Sequence, residues 1–333
     1  MCGLAGFFGL TNSEQMPLLA TVMAERIAYR GPDDSGVWCD AEAGIALAHR
    51  RLAIVDLSPA GHQPMLSESS RFVLAFNGEI YNHLELRQQL QAQGKQIAWR
   101  GHSDTETLLA AIEAWGLQAT LKACVGMFAI ALWDRQEKTL SLARDRFGEK
   151  PLYYGWQNGV LLFASELKAI GAHPSFERRI NRDAIALLLR YNYIPAPHSI
   201  WQSIQKLLPG TCIVFRAGQL EAIPEAYWSL SEVAESGQNN VFSGSLAEAT
   251  EALHQALRTS IRGQMLADVP LGALLSGGVD SSMVVSLMQS QSNRPVKTYS
   301  IGFHEKQFDE SGYARDVAKH LGTDHTEDRK SVV

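Results

Sequence analysis

From residue 1 to about 170, apolar residues fall in short alternating or continuous runs separated by Gly, Pro, Asn and Asp, at 4–10, 44–57, 71–81, 126–134, 139–145 and 159–165. Runs of that length and rhythm predict strands. Between them, SDTETLLAAIEAWG (103–116) switches to helical spacing. Ser103 stands as N-cap with Glu106 three residues on, Leu108, Leu109, Ile112 and Trp115 follow on one face, and Gly116 is the stop. The pattern predicts a layered α/β domain with mostly antiparallel sheets over 1–215. A connecting segment is expected over 216–245, because SEVAESGQNNVFSGS (231–245) has the Gly, Ser and Asn content of a linker.

After it the rhythm changes. Residues 246–266 place Leu246, Leu253, Leu257, Ile261 and Met265 on one helical face. A buried strand is expected at 269–276, a helix at 281–291, a strand at 296–303 and a helix at 311–322. Alternation of this kind implies parallel βαβ units over 246–333. Two strands with their helices cannot cover both faces of a parallel sheet, so a longer native chain is expected. The ending DRKSVV (328–333) is also what a common sequencing adapter, GATCGGAAGAGCGTCGTG, encodes in one frame. Those six residues are therefore read as non-native.

With 333 residues, 46% hydrophobic and 20% charged, the composition is that of a folded protein of roughly two domains. The net charge of −5 is mixed along the chain, so neither a nucleic-acid nor an anionic-membrane surface is expected. No basic residue precedes the apolar start, the first being Arg26, and no apolar run approaches the roughly 18 residues of a membrane helix. A cytoplasmic protein with small-molecule partners is expected. Cys2, Cys39, Cys124 and Cys212 are scattered without a CxxC pair, which fits neither zinc nor a disulfide framework.

The densest chemical motif is LLSGGVDSS (274–282), at a strand end and entering a helix. Amides around Ser276, Gly277 and Gly278 can face an anion with no side chain in the way, and the helix start near Ser281 adds its positive dipole end. No GxxxxGK[ST] lysine is present, which suits chemistry with pyrophosphate as leaving group better than kinase action. Asp280 is placed to orient the loop or bind Mg²⁺. The plainer reading is a tight strand-to-helix turn.

The second constellation begins at Cys2. With Met1 removed, one residue carries both a thiol and an α-amine, a nucleophile with its own base for attack on an amide carbonyl. The resulting oxyanion needs fixed donors, for which Asn77 and Gly78 in FNGEIYN (76–82) are suited. A free amino-acid substrate would present its carboxylate to an Arg such as Arg51 and its ammonium to acids such as Glu79 and Asp104. Singly, each of these residues is more simply a turn or surface residue.

Together, MCG, RGPD, RL.IVD, NGEIYN, SDTE, RDRFGEKPLYY (144–154), SELKA, LPGT and SGGVDSS, in this order, resemble the glutamine-dependent asparagine synthetases and other class II glutamine amidotransferases. The resemblance implies a four-layer αββα N-terminal-nucleophile (Ntn) hydrolase domain, followed by the start of a parallel-sheet PP-loop synthetase domain. It implies glutamine hydrolysis through a Cys2 thioester, with ammonia passed to an aspartate activated by ATP and Mg²⁺ as acyl-AMP. Cys2 would be the nucleophile, and Asn77 with Gly78 the oxyanion hole. Arg51 would hold the glutamine carboxylate, Glu79 and Asp104 its polar end, and Leu52, Ala53, Ile54 and Val55 would line the pocket. Leu275, Ser276, Gly277, Gly278, Asp280 and Ser281 would cradle ATP, with Leu275 and Ile301 near the adenosine. RDRFGEKPLYY is read as structural.

The residues that would recognise the acceptor fall beyond Val333, so the acceptor stays open between aspartate and a sugar or cell-wall precursor; a homodimer is also left open. SGGVDSS argues against a glucosamine-6-phosphate synthase-like chain. Retention of Cys2, Arg51, Asn77 and Asp104 argues against a β-lactam-synthetase-like chain, and a silent scaffold has no need for a thiol behind a removable Met1 or for an unobstructed phosphate loop.

Overall fold

The computed structural model describes residues 1–9, 13–219, 221–305 and 307–329. Of the six residues read as non-native, 330–333 lie outside the described residues. The chain begins with β1 (Gly3–Phe8), α1 (Met16–Glu25), β2 (Asp34–Asp40), β3 (Ile45–Arg51), β4 (Met65–Leu66), β5 (Phe72–Ile80) and α2 (His83–Ala92). It continues through α3 (Asp104–Trp115), α4 (Leu117–Ala123), β6 (Gly126–Asp134), β7 (Thr139–Arg144), β8 (Tyr153–Gln157), β9 (Val160–Ala164) and α5 (Leu167–Ile170). Then come α6 (Arg182–Tyr191), β10 (Gln205–Lys206), β11 (Thr211–Arg216), β12 (Glu225–Ala226) and α7 (Leu230–Asn239). The last elements are α8 (Leu246–Gln264), β13 (Gly272–Leu274), α9 (Val279–Ser290), β14 (Lys297–Gly302), α10 (Ser311–Leu321) and β15 (Asp324–Arg329). Two compact units result, Met1–Gln238 and Asn239–Val333.

The first unit holds two six-stranded sheets, ordered β10-β8-β9-β1-β3-β2 and β12-β11-β7-β6-β5-β4, with antiparallel pairing throughout. Because strand side chains alternate faces, each strand is sorted by parity. In β1 and β3, Leu4, Phe8, Ile45 and Leu47 join Val73, Ala75, Ala131 and Trp133 in one buried cluster between the sheets. Their neighbours Ala5, Phe7, Ala46 and Ala48 pack outward against Met16, Ala20 and Met23 of α1. On the other side Leu74, Phe76 and Ile80 pack against Leu86 of α2 and Leu108, Leu109 and Ile112 of α3. The layers are therefore helix, sheet, sheet, helix, as the resemblance implied.

The second unit is a three-stranded parallel sheet, β13-β14-β15, with right-sized helical crossovers α9 and α10. Its core is small: Leu275, Val285, Ala314 and Ala318.

Four expectations need correcting. The strand expected over 44–57 stops at Arg51, since residues 52–57 turn away and Asp56 takes a positive φ of 59°. The linker expected over 216–245 contains structure: β12 pairs with β11, Tyr227 donates to the Arg144 carbonyl at 2.8 Å, and α7 follows. Leu230, Glu232, Ala234 and Glu235 at its start favour helix despite the Ser, Gly and Asn nearby. The buried strand expected over 269–276 is three residues long and mostly exposed, because it pairs only with β14 among the described residues. Likewise α8 forms with a full Ser245–Glu248 capping box but buries no residue; Leu246 is 85% exposed. Among the described residues no helix is long and apolar enough to cross a membrane.

Helix α3 starts as its sequence predicts: Ser103 Oγ accepts from Glu106 N at 3.2 Å, while the Glu106 carboxylate turns back to Arg100 N and Gly101 N. Ser103→Ala should lower the stability of the first unit by about 1 kcal/mol. All seven Trp lie before residue 229, so the urea midpoint read by Trp fluorescence reports on this unit; an unchanged midpoint would contradict the cap's contribution.

Candidate active site

The same parity that builds the inter-sheet core also builds the site. Cys2 precedes β1 on the side of Leu4 and Phe8. Arg51 ends β3 on the side of Ile45 and Leu47, and Asn77 and Glu79 follow Val73 and Ala75 on β5. All four thus face inward at one end of the sandwich. His49, fully buried, spans the gap by donating Nε2–H to the Phe76 carbonyl at 2.9 Å. Burial drives its pKa down to about 4, so it stays neutral and acts as a strut.

A cavity of about 220 Å³ opens there, lined by Cys2, Arg51, Leu52, Ile54, Val55, Asn77, Gly78, Glu79 and Asp104. A volume below that of drug-sized sites suits one small molecule. Ala53 is the exception among the expected lining residues: its amide is tied to Asp33 Oδ2 at 2.8 Å instead. A larger cavity of about 450 Å³ beside Leu66, Lys95 and Glu113 contains no cysteine and none of the expected site residues.

Cys2 Sγ accepts from Leu52 N at 3.3 Å and lies 3.5 Å from the Leu52 carbonyl, while its own carbonyl accepts from Arg30 Nε at 2.9 Å. Arg30 is held in turn by Glu166 at 2.8 Å. Burial pushes the thiol pKa up, with the Leu52 amide opposing. The terminal α-amine on Met1 is pushed down, first by burial, with Arg30 and Lys150 adding to it. A weak thiol acid beside an amine inclined to be neutral is the pairing that needs, and supplies, a local base.

Asn77 is fully buried, and neither its side-chain oxygen nor its nitrogen has a hydrogen-bond partner. Such an orphan costs about 1–3 kcal/mol and is rare. Gly78 has no room for a side chain, since a Cβ would sit 2.2 Å from the Met127 carbonyl. Asp104, first residue of α3, accepts from Ile80 N and Thr105 N, both at 2.8 Å. Burial still pushes its pKa up to about 6, and Glu79, itself pushed up by burial, adds to this. Arg51 donates to the carbonyls of Asp56 and Ser58, which pins the pocket wall. Asp56 latches that wall to the segment before α3 by accepting from His102 N at 2.8 Å.

The sequence reading missed Lys150. It lies in the stretch taken as structural, yet it is buried and lines the cavity. Arg30, Gln63 and Glu166 were also missed as supports. Their only signal was proximity to motifs already singled out, in RGPD and SELKA for Arg30 and Glu166.

In the second unit SGGVDSS lies at the C-terminal end of β13 and enters α9. Gly277 has φ +82°, and a Cβ on it would meet Tyr313 and Ala314 of α10 within 2.7 Å. Ser276 and Ser281 hydroxyls bond at 2.9 Å. The Leu275 side chain is in the core below the loop, so only its backbone is available, whereas Ile301 is exposed on β14. Asp280 is exposed in the first turn of α9. Among the described residues no cluster of three or more His, Cys, Asp or Glu could hold a metal.

An Ntn-type sandwich with a cysteine at its mouth is an amidohydrolase framework, and comparison with known proteins makes the assignment. The chain belongs to the glutamine amidotransferase family, whose domain model matches residues 1–228. Residues 252–329 match the asparagine synthase model. The chain is 32% identical over 328 residues to asparagine synthetase (glutamine-hydrolyzing) 1 of Bacillus subtilis, covering 98% of this chain and 49% of that protein. It is 32% identical over 327 residues to asparagine synthetase (glutamine-hydrolyzing) 3 of the same organism, covering 94% and 50%. The chain thus spans about half the length of these relatives. Glutamine phosphoribosylpyrophosphate amidotransferase from B. subtilis shares the fold, with a TM-score of 0.53 and 15% identity over 99% of this chain and 91% of the other.

Asp104 has a testable signature. Its folded pKa of about 6 exceeds the unfolded value near 3.9, so between those pH values the native state binds more protons and Asp104 lowers stability as pH rises. Asp104→Asn should therefore gain stability relative to the parent between pH 4 and 7, by an amount on the order of 2 kcal/mol. Denaturant unfolding at both pH values checks this; a constant difference would place the pKa elsewhere.

Proposed function

We propose that the chain carries the glutaminase half, and the start of the ATP-dependent half, of a glutamine-dependent asparagine synthetase. With Met1 removed, the Cys2 α-amine takes the Sγ proton as sulfur attacks the glutamine side-chain carbonyl. The oxyanion forms where Asn77 Nδ2 and the Gly78 amide can donate. Collapse breaks the C–N bond, the α-ammonium returns the proton to the leaving ammonia, and a thioester remains. Water then cleaves it to glutamate and restores the thiol. Arg51 meets the substrate carboxylate, and Asp104 with Glu79 meets its ammonium; a bound cation favours their ionised forms, offsetting the burial that raises both pKa values.

The observation that carries this reading is Asn77, fully buried with both polar atoms unpartnered in the cavity that holds Cys2. A structural asparagine would have found partners among its neighbours.

In the second unit the SGGVDSS turn and the start of α9 suit a polyphosphate, which would take the Ser276 and Gly278 amides from the Ser281 and Ser276 hydroxyls that accept from them at 3.3 Å. ATP would be held there, supplying activation of the acceptor carboxylate with pyrophosphate as leaving group. A single exposed carboxylate, Asp280, fits Mg²⁺ carried mainly by phosphate oxygens. Aspartate is proposed as acceptor because the relatives named above are asparagine synthetases.

Purified chain should release glutamate from glutamine, with mass spectrometry showing Met1 absent. Cys2→Ala should abolish release, and Asn77→Ala should reduce kcat about 10²–10³-fold. Release that survives Cys2→Ala would overturn the assignment.

A further inference from the structure

The stretch RDRFGEKPLYY is wired with unusual density. Asp145 Oδ1 accepts from Phe147 N and Glu149 N at 3.1 and 2.9 Å, and Oδ2 from Phe128 N and Lys150 N at 3.1 and 3.0 Å. Arg144 donates to the carbonyls of Lys150, Leu207 and Gly148 at 2.7, 2.8 and 2.5 Å. This wiring fixes the main chain of Lys150 from both sides and leaves its side chain free to be used. That side chain is 5% exposed and lines the Cys2 cavity, and its amino group makes no hydrogen bond or ion pair among the described residues. A bracing lysine would have a carboxylate or carbonyl on its nitrogen; this one faces the cavity instead.

We propose that Lys150 is a positioning residue of the glutaminase pocket, whose ammonium stabilises the Cys2 thiolate and balances the Glu79 carboxylate beside it. The need for such a cation follows from burial, which by itself makes the thiol a weak acid. The charged groups around the cavity are the terminal amine, Arg30, Arg51 and Lys150 against Asp33, Glu79, Asp104 and Glu149. Arg30 is committed to Glu166 and the Cys2 carbonyl, and Arg51 to the carbonyls of the pocket wall. The terminal amine and Arg51 also favour a charge on sulfur, and Lys150 joins them as the cation whose amino group makes no hydrogen bond or ion pair among the described residues. It keeps its protons throughout; the thiol proton still goes to the α-amine, so Lys150 acts through Cys2 rather than as a second base.

This inference rests on the glutaminase reading for its purpose, but its test needs no glutamine. The full chain is alkylated with iodoacetamide from pH 5 to 10, and each cysteine peptide is quantified by mass spectrometry. In Lys150→Met the alkylation rate of Cys2 should fall about tenfold at every pH below 8, the effect of raising its thiol pKa by about one unit. Lys150→Arg should recover most of the rate, while Cys39, half-buried away from the cavity with its thiol pushed up to about 11 by burial, serves as internal standard whose slower rate should not change. An unchanged Cys2 rate in Lys150→Met, or an equal slowing at Cys39, would overturn the proposal. A Cys2-specific slowing in a chain that hydrolyses no glutamine would leave Lys150's role standing and remove the glutaminase reading instead.

Discussion

The first unit depends on the packing of two antiparallel sheets face to face. Their inner faces share one buried cluster, from Leu4 and Leu47 on one sheet to Val73 and Trp133 on the other. Because the side-chain period of a strand is two, this packing dictates which residues of β1, β3 and β5 face inward along their whole length. At the end of the sandwich where the apolar residues stop, the inward positions are occupied by Cys2, Arg51, Asn77 and Glu79. The site is a continuation of the core, with reactive groups in place of leucine and valine.

That origin explains its electrostatics. Groups placed where a core should be lose their water, so burial is the first cause of the raised pKa values of Cys2, Glu79 and Asp104 and the lowered one of Lys150. The surrounding backbone offsets part of that cost: Leu52 donates to the thiol, and Ile80 and Thr105 to Asp104. Asn77 receives no such compensation. Charges outside the cavity are paired in the ordinary way, as in Arg71 with Asp134 at 2.6 Å, and there the carboxyl pKa falls rather than rises.

The second unit shows the opposite balance. Its SGGVDSS turn is formed in detail, with Gly277 against α10 and two serines bonded across the loop, although few large side chains are buried around it. Local geometry is enough for such a turn, since it needs one parallel strand, one helix start and close backbone approach. A well-covered sheet needs more neighbours than β13, β14 and β15 have among the described residues.

The residue pattern alone determined most of the strands of the first unit, the α3 cap at Ser103 and the parallel character of β13 and β14, while β15 was not expected from it. Each of these is local, resting on alternation, on a cap three residues from its partner, or on glycines inside one turn. Tertiary structure alone decided that the chain leaves β3 at Arg51 to wall the pocket, that Ala53 points to Asp33 rather than the cavity, and that Leu275 is core. It also decided that Lys150, 148 positions from Cys2 and inside a stretch that reads as bracing, lines the same cavity as the thiol. No periodicity carries that information, because the meeting of Cys2 and Lys150 at one cavity depends on tertiary packing and not on the spacing of residues within either segment.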